Sequence, residues 1–348
     1  MRRAGRWFLE SGIQNPENGG VARYYLNAES RPLPVSTEIT GYAASTLAYL
    51  YKRTGEPIYL ERAALTAHFL TIAPAWNAEL ETHPFELAAG SPGYFFDCGI
   101  IVRGLLAVWR ITGERRLLDV ALAAGRSMAR NYLTATAIHP VISLPAREPW
   151  PYEKRWSREP GCFQLKSALA WRDLSQVAGG DSTLAVYWRQ ALTQALESDP
   201  HFLPGVNERL KVMDRLHAYS YYMEALLAER SPLLAAAIPR TAHYLHSLAP
   251  EFARSDVYAQ LLRVRLYADA LGIVGLDRDA ASEEAAAITT FQYSTSDPRL
   301  GGGYCFGRRD GELLPFVNPV STGFCLQALD MWEQHQSGCL EPGLSDLI

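Results

Sequence analysis

Two acids stand where an acid–base pair could be built. Glu38 follows Ser36-Thr37 at the head of one apolar stretch, and Asp97 follows Phe95-Phe96 at the head of another. A carboxyl in a sheltered site can be tuned to give or take a proton. Two of them facing each other form the pair that cleaves glycosidic bonds. Each also has a plainer reading. Glu38 is an acid in a first helical turn, where the macrodipole favours it, and Asp97 before Cys98-Gly99 has the form of an N-cap. His217 and Tyr219 open a further apolar stretch as an acid–base couple suited to β-elimination. They read equally as part of an aromatic core with Tyr221 and Tyr222. Asp214 and Asp256 read as caps or solvated acids, and His243 and His246 as structural residues. No two histidines share a helix face with a carboxylate at ligand spacing, and the cysteines lack pairs, so neither metal nor cofactor is expected.

Around these acids the connecting segments collect aromatic and basic residues. Arg23, Tyr24, Tyr94, Trp150, Arg155, Trp156, Tyr304 and Arg308 are the candidate binding residues. Apolar ring faces stack on sugars, and arginine takes a carboxylate bidentately. The Arg308-Arg309-Asp310-Gly311-Glu312 run also reads as a hairpin turn with solvated charges. Gly301-Gly302-Gly303 before Tyr304 permits close approach of a ligand, but no Lys-Ser/Thr follows it, so it is not a nucleotide loop.

The elements that must position these residues come from a repeat. Within 36–130, Gly41 pairs with Gly99, Leu47 with Leu105, Tyr51 with Trp109, and Thr54-Gly55-Glu56 with Thr112-Gly113-Glu114, always 58 residues on. Each copy is an apolar helix, a Thr-Gly turn and a second helix with one apolar face. Such hairpins are too thin to bury their own faces and must stack in an array. Fainter copies cover 164–197, turning at Ala178-Gly179-Gly180, then 217–248 and 255–290. The single helix over 319–336 lacks a partner, and the helix over 2–11 lacks one at the other end. A shift of 282 residues places Gly19-Gly20 on Gly301-Gly302 and Thr40-Gly41-Tyr42 on Thr322-Gly323-Phe324. The pattern predicts an all-α fold, an (α/α)6 barrel of six helical hairpins. The N-terminal helix closes the last one, and residues 1–348 form a single domain.

First helices that are apolar nearly all round suit an inner ring; second helices with one wet face suit an outer ring. The Thr-Gly turns then lie at one end. The long connections 15–35, 71–94, 132–161, 198–216 and 291–318 lie at the other, as a bowl floored by inner-helix N-termini.

Composition bounds the reading. The formal net charge is −4, with 48% hydrophobic and 20% charged residues. Neither nucleic acid nor an anionic membrane is called for, and no apolar run reaches spanning length. Residues 1–12 carry two arginines and no apolar signal core. Five scattered cysteines, Cys98, Cys162, Cys305, Cys325 and Cys339, read as reduced thiols of a cytoplasmic protein. An export signal lost upstream would leave the same picture.

The whole chain resembles the bacterial six-hairpin toroid proteins, which include unsaturated-glucuronyl hydrolases, sugar 2-epimerases and polysaccharide lyases. Gln14 to Gly20 with Val21-Ala22-Arg23-Tyr24 also resembles the Gln…Gly-Gly repeat of terpenoid-cyclase and prenyltransferase toroids. The Asp-Asp pair and Trp-Arg-Gly-Asn-Gly-Trp run of the glucuronyl hydrolases are absent, as are the cyclases' Asp-x-Asp-Asp and the lanthionine cyclases' zinc set. The resemblance therefore implies an architecture, not a catalytic set. The expectation is a carbohydrate-active enzyme acting on an acidic, uronate-containing oligosaccharide by hydrolysis or β-elimination. Glu38, Asp97, His217 and Tyr219 are its candidate catalytic residues. A non-catalytic sugar-binding or scaffold toroid, or a terpenoid-type toroid with a dry cavity, are the alternatives.

Overall fold

The computed structural model describes residues 1–27, 29, 31–177, 179 and 182–348. About 59% of the chain is helical. The chain forms two compact units: Met1–Ile13, Tyr24–Pro32 and His201–Ile348 make the first, and Gln14–Arg23 and Leu33–Pro200 the second. Helix α1 (Arg2–Glu10) opens the first unit. The second holds α2 (Thr37–Thr54), α3 (Pro57–Phe69), α4 (Phe95–Thr112), α5 (Arg115–Tyr132), α6 (Leu165–Val177) and most of α7 (Ser182–Phe202). The chain then supplies α8 (Arg209–Leu226), α9 (Leu234–Leu248), α10 (Ser255–Ala270), α11 (Arg278–Thr289) and α12 (Pro319–Gln336) to the first. No helix of the described residues is long and apolar enough to cross a membrane.

In the second unit α2, α4 and α6 pack as a row, backed by α3 on α2 and α5 on α4. The repeated glycines explain how closely this row packs. A Cβ on Gly41 would lie 2.9 Å from the Ile101 Cα of α4, and one on Gly99 would lie 2.4 Å from the Ser167 carbonyl oxygen of α6. The same sequence position meets the next helix each time, where only a hydrogen fits. Helix α4 is buried on every side, from Phe95 to Val108, whereas α5 buries one face. The Thr-Gly turns also repeat atom by atom. Gly55 and Gly113 cap α2 and α4 in the left-handed region, at φ 71° and 69°, and donate to the Tyr51 and Trp109 carbonyls. Of the third turn, Ala178 and Gly180 lie outside the described residues, while Gly179 has φ 67°.

In the first unit α8, α10 and α12 form the corresponding row, with α9 and α11 behind them. Helix α1 packs on α12, and its Trp7 and Phe8 are 1% and 2% exposed. Buried Arg263 of α10 pairs with Glu224 of α8 and Gln327 of α12, which ties the row together through charge. Short antiparallel strands brace the connections. Gly93–Tyr94 pairs with Val141–Ile142, Tyr25–Leu26 with Phe316–Val317, and Phe252–Arg254 with Gly307–Arg309.

Two boundaries differ from the sequence reading. The expected loop 198–216 shrinks to residues 203–208, because α7 runs past Pro200 to Phe202 and α8 begins at Arg209. The run from Arg209 to Leu216 winds as helix with Met213 and Leu216 buried, so His217 lies two turns inside α8 rather than at its start. Asp97 is not an N-cap either. Helix α4 starts at Phe95 and Tyr94 occupies the cap.

Candidate functional site

In the second unit a cavity of about 310 Å³ lies at the N-terminal ends of α2, α4 and α6. Glu38 enters it from the first turn of α2, whose Ser36 cap accepts from the Ile39 N–H. Asp97 enters from the first turn of α4 and is 4% exposed. The apolar walls are Phe85, Phe96, Pro140, Trp156 and Phe163. Arg23, Arg155 and Arg158 bring positive charge.

Backbone pairing sets these side chains. Arg23 and Glu86 lie beside α2 because Ala22 bridges Val35 and Ser36 bridges Glu86. Arg23 then donates to Glu86 at 2.8 Å and lies 4.5 Å over the Phe85 ring. Tyr94 is held opposite Val141, and the Trp150 N–H donates to the Val141 carbonyl. The Arg158 guanidinium lies 5.4 Å over Tyr94 and 4.7 Å over Trp150. Trp156 meets Phe163 edge-on at 5.1 Å. Gln164 serves structure, accepting from Gly161 N–H and donating to the Ile138 carbonyl.

Burial pushes the Glu38 carboxyl up to about 7, against the opposing pull of Arg23. Burial, and then the charge of Glu38, push Asp97 well above the carboxylate range. Two carboxyls in one desolvated space do not ionise independently. Asp97 Oδ2 is buried with no hydrogen-bond partner among the described residues.

Of the residues singled out in the sequence, Glu38, Asp97, Arg23, Tyr94, Arg155 and Trp156 line this one cavity, and Trp150 adjoins it beneath Arg158. Phe85 and Pro140 carried no sequence signal, lying in aperiodic loops. Arg158, Phe96, Phe163 and Gln164 were legible only as part of the expected bowl.

The other candidates belong to the first unit. His217 Nδ1 lies 2.8 Å from Gln260 Oε1 and 3.6 Å from Asp256 Oδ2. Arg254 clamps Asp256 with two hydrogen bonds and reaches Asp214 at 2.7 Å. Burial, then Arg254, hold the imidazole down at about 4, so it is neutral. Tyr219 turns to the other side of α8, stacking on Phe202 at 6.3 Å with Arg240 4.7 Å over its ring. Residues two apart on a helix diverge by about 200°, and the expected His217–Tyr219 couple is not formed. Asp256 is neither a cap nor a solvated acid; it is 2% exposed in an ion pair. Tyr304 is a core residue, 3% exposed, its N–H donating to Thr322. Tyr24 packs on Phe316 at 5.2 Å. Arg308 lies in a strand, donating to the Thr290 carbonyl, and the turn at Asp310-Gly311 closes the expected hairpin.

No known protein family matches the sequence, nor does any curated protein. Solved structures do match. Cellobiose 2-epimerase from Spirochaeta thermophila DSM 6192 superposes with a TM-score of 0.71 at 14% identity, over 94% of each chain. A sugar epimerase from a ruminal bacterium gives 0.70 at 13% identity, over 93% of this chain and 95% of that one. An inactive variant of the α-1,6-mannanase of Salegentibacter sp. HEL1_6, in complex with α-1,6-mannotetrose, gives 0.58 at 10% identity, over 94% and 97%. These likenesses show the fold, an (α/α)6 toroid.

Proposed function

We propose that the chain is a sugar-processing enzyme whose reaction centre is the cavity of Glu38 and Asp97, and that it hydrolyses an acidic, uronate-containing oligosaccharide. One observation carries the reading: two carboxyls with raised proton affinity face the same aromatic-walled, arginine-bearing space. Ligand pockets span about 300–1,000 Å³, so this one is sized for a sugar ring or two. Aromatic walls stack the ring. One carboxyl protonates the glycosidic oxygen as the bond breaks; the other, ionised, draws the proton from an attacking water or attacks the anomeric carbon itself. The charge of Arg23 opposes the rise in both carboxyls. The mannanase among the structural neighbours supports hydrolysis on this fold.

The same pair could instead remove a proton beside a carbonyl. Returned to the opposite face, the proton gives epimerisation, as the names of two neighbours suggest; with loss of the leaving sugar, β-elimination follows. Turnover of uronate oligosaccharides in H2¹⁸O and in D2O separates the three. Hydrolysis puts ¹⁸O in the product, elimination gives an ultraviolet-absorbing unsaturated uronate without it, and epimerisation exchanges deuterium without cleavage. Binding without any turnover would leave a sugar-binding protein and end the enzymatic reading.

A further inference from the structure

We propose that Arg158 is the residue that recognises the carboxylate of the ligand, and that it selects hexuronates over neutral hexoses; this rests on the cavity being a sugar site. Several buried arginines are matched by carboxylates: Arg254 with Asp256, Arg103 with Asp173, Arg265 with Glu284. Arg23, in the cavity itself, is committed to Glu86. Arg158 lines the cavity, yet no carboxylate among the described residues pairs with it, and its Nη1 is buried with no hydrogen-bond partner. Arg158 as a whole is half-buried, but a buried donor atom without a partner is costly, so Nη1 at the cavity wall points to a partner that arrives with the ligand.

The guanidinium is also fixed in advance. Its position over the Tyr94 and Trp150 rings holds the planar fork, and the short 3-10 turn Trp156–Arg158 holds its backbone. A pre-set fork loses little freedom on binding and suits a planar carboxylate bidentately. Within the same cavity Asp97 Oδ2 is likewise buried and unpartnered. The two orphans ask for a ligand carrying both an acid group and a hydroxyl. A sugar acid has both. Arg155, by contrast, is exposed and lends charge without a fixed geometry.

The test is calorimetric titration of the wild-type protein with free hexuronates, each against its neutral hexose and the hexose 6-phosphate. At least one hexuronate should bind ten-fold or more tightly than its hexose. Arg158→Gln should abolish that preference while leaving hexose binding within about three-fold. Arg158→Lys, keeping charge without the fork, should retain part of it. Unchanged melting temperatures check that the loop stays folded. No preference in the wild type, or a preference surviving Arg158→Gln, overturns the assignment. Tighter binding of the 6-phosphate would show a tetrahedral-anion site and overturn the carboxylate. Hexuronate selection that depends on Arg158 in a protein that turns over no oligosaccharide would uphold this inference and sink the enzymatic one.

Discussion

Glu38 and Asp97 depart from ordinary carboxyls for a shared reason: each leaves water on entering the cavity, and each feels the other. If Glu38 takes part in proton transfer, Glu38→Gln should lower kcat by about two or more orders of magnitude with little change in KM. A wild-type rate would reduce it to a helix-start acid. Removing its charge also removes a force that raises Asp97, so the remaining titration, read from the pH–rate profile or by carboxyl NMR, should move down. Stability carries a matching signature. Folding lifts Glu38 from 4.5 to about 7, so between those pH values the folded chain holds more protons than the unfolded one. Stability must then fall as pH rises through the window. Glu284 pulls the same way, also lifted to about 7, so the comparison that isolates Glu38 is wild type against Glu38→Gln in denaturant melts at pH 4.5 and 7. The variant should lose less stability across the interval; equal losses would refute the shift. These two acids were legible because each sits at a helix start set by a repeat. Arg158 was legible only as one of the basic residues expected in the bowl, because its significance lies in a missing partner that sequence cannot show.

At the scale of elements the repeat was readable since packing imposes it. Gly41 and Gly99 recur 58 residues apart because each lets the next helix of the row approach backbone to backbone. Gly99→Ala would place a methyl 2.4 Å from the Ser167 carbonyl oxygen. Pushing α4 from α6 should cost about 1–3 kcal/mol, seen as a lower denaturation midpoint, and it should weaken ligand binding because Phe96 and Phe163 move with those helices. A stable variant with unaltered binding would show the row to be looser than drawn. The α7–α8 boundary was misread for an equally physical reason. Helix α7 continues through Pro200 to Phe202, the proline confined to its last turn. Helix α1 was legible as an orphan seeking a partner. Burying Trp7 and Phe8 contributes roughly 1.5–3 kcal/mol each; deleting residues 1–12 should cause aggregation or a large drop in melting temperature, and an unchanged Tm would contradict the packing of α1 on α12.

Over the whole molecule, the two compact units are not cut from separate lengths of chain. The first takes Met1–Ile13 and Tyr24–Pro32 from either side of Gln14–Arg23, which belongs to the second. Neither is complete without segments of sequence that interrupt the other, and we propose that the chain folds as a single domain. Calorimetry should then show one transition whose calorimetric and van 't Hoff enthalpies agree; two separable transitions would make them independent domains. The position of α1 has a further consequence, one of time. About 300 residues separate α1 from α12, the helix that receives it. At roughly 5–20 residues per second, a ribosome needs on the order of 15–60 s to supply the surface on which Trp7 and Phe8 close. For that interval Trp7 and Phe8 have no α12 to close on, and they stay open to non-native contacts until α12 is made.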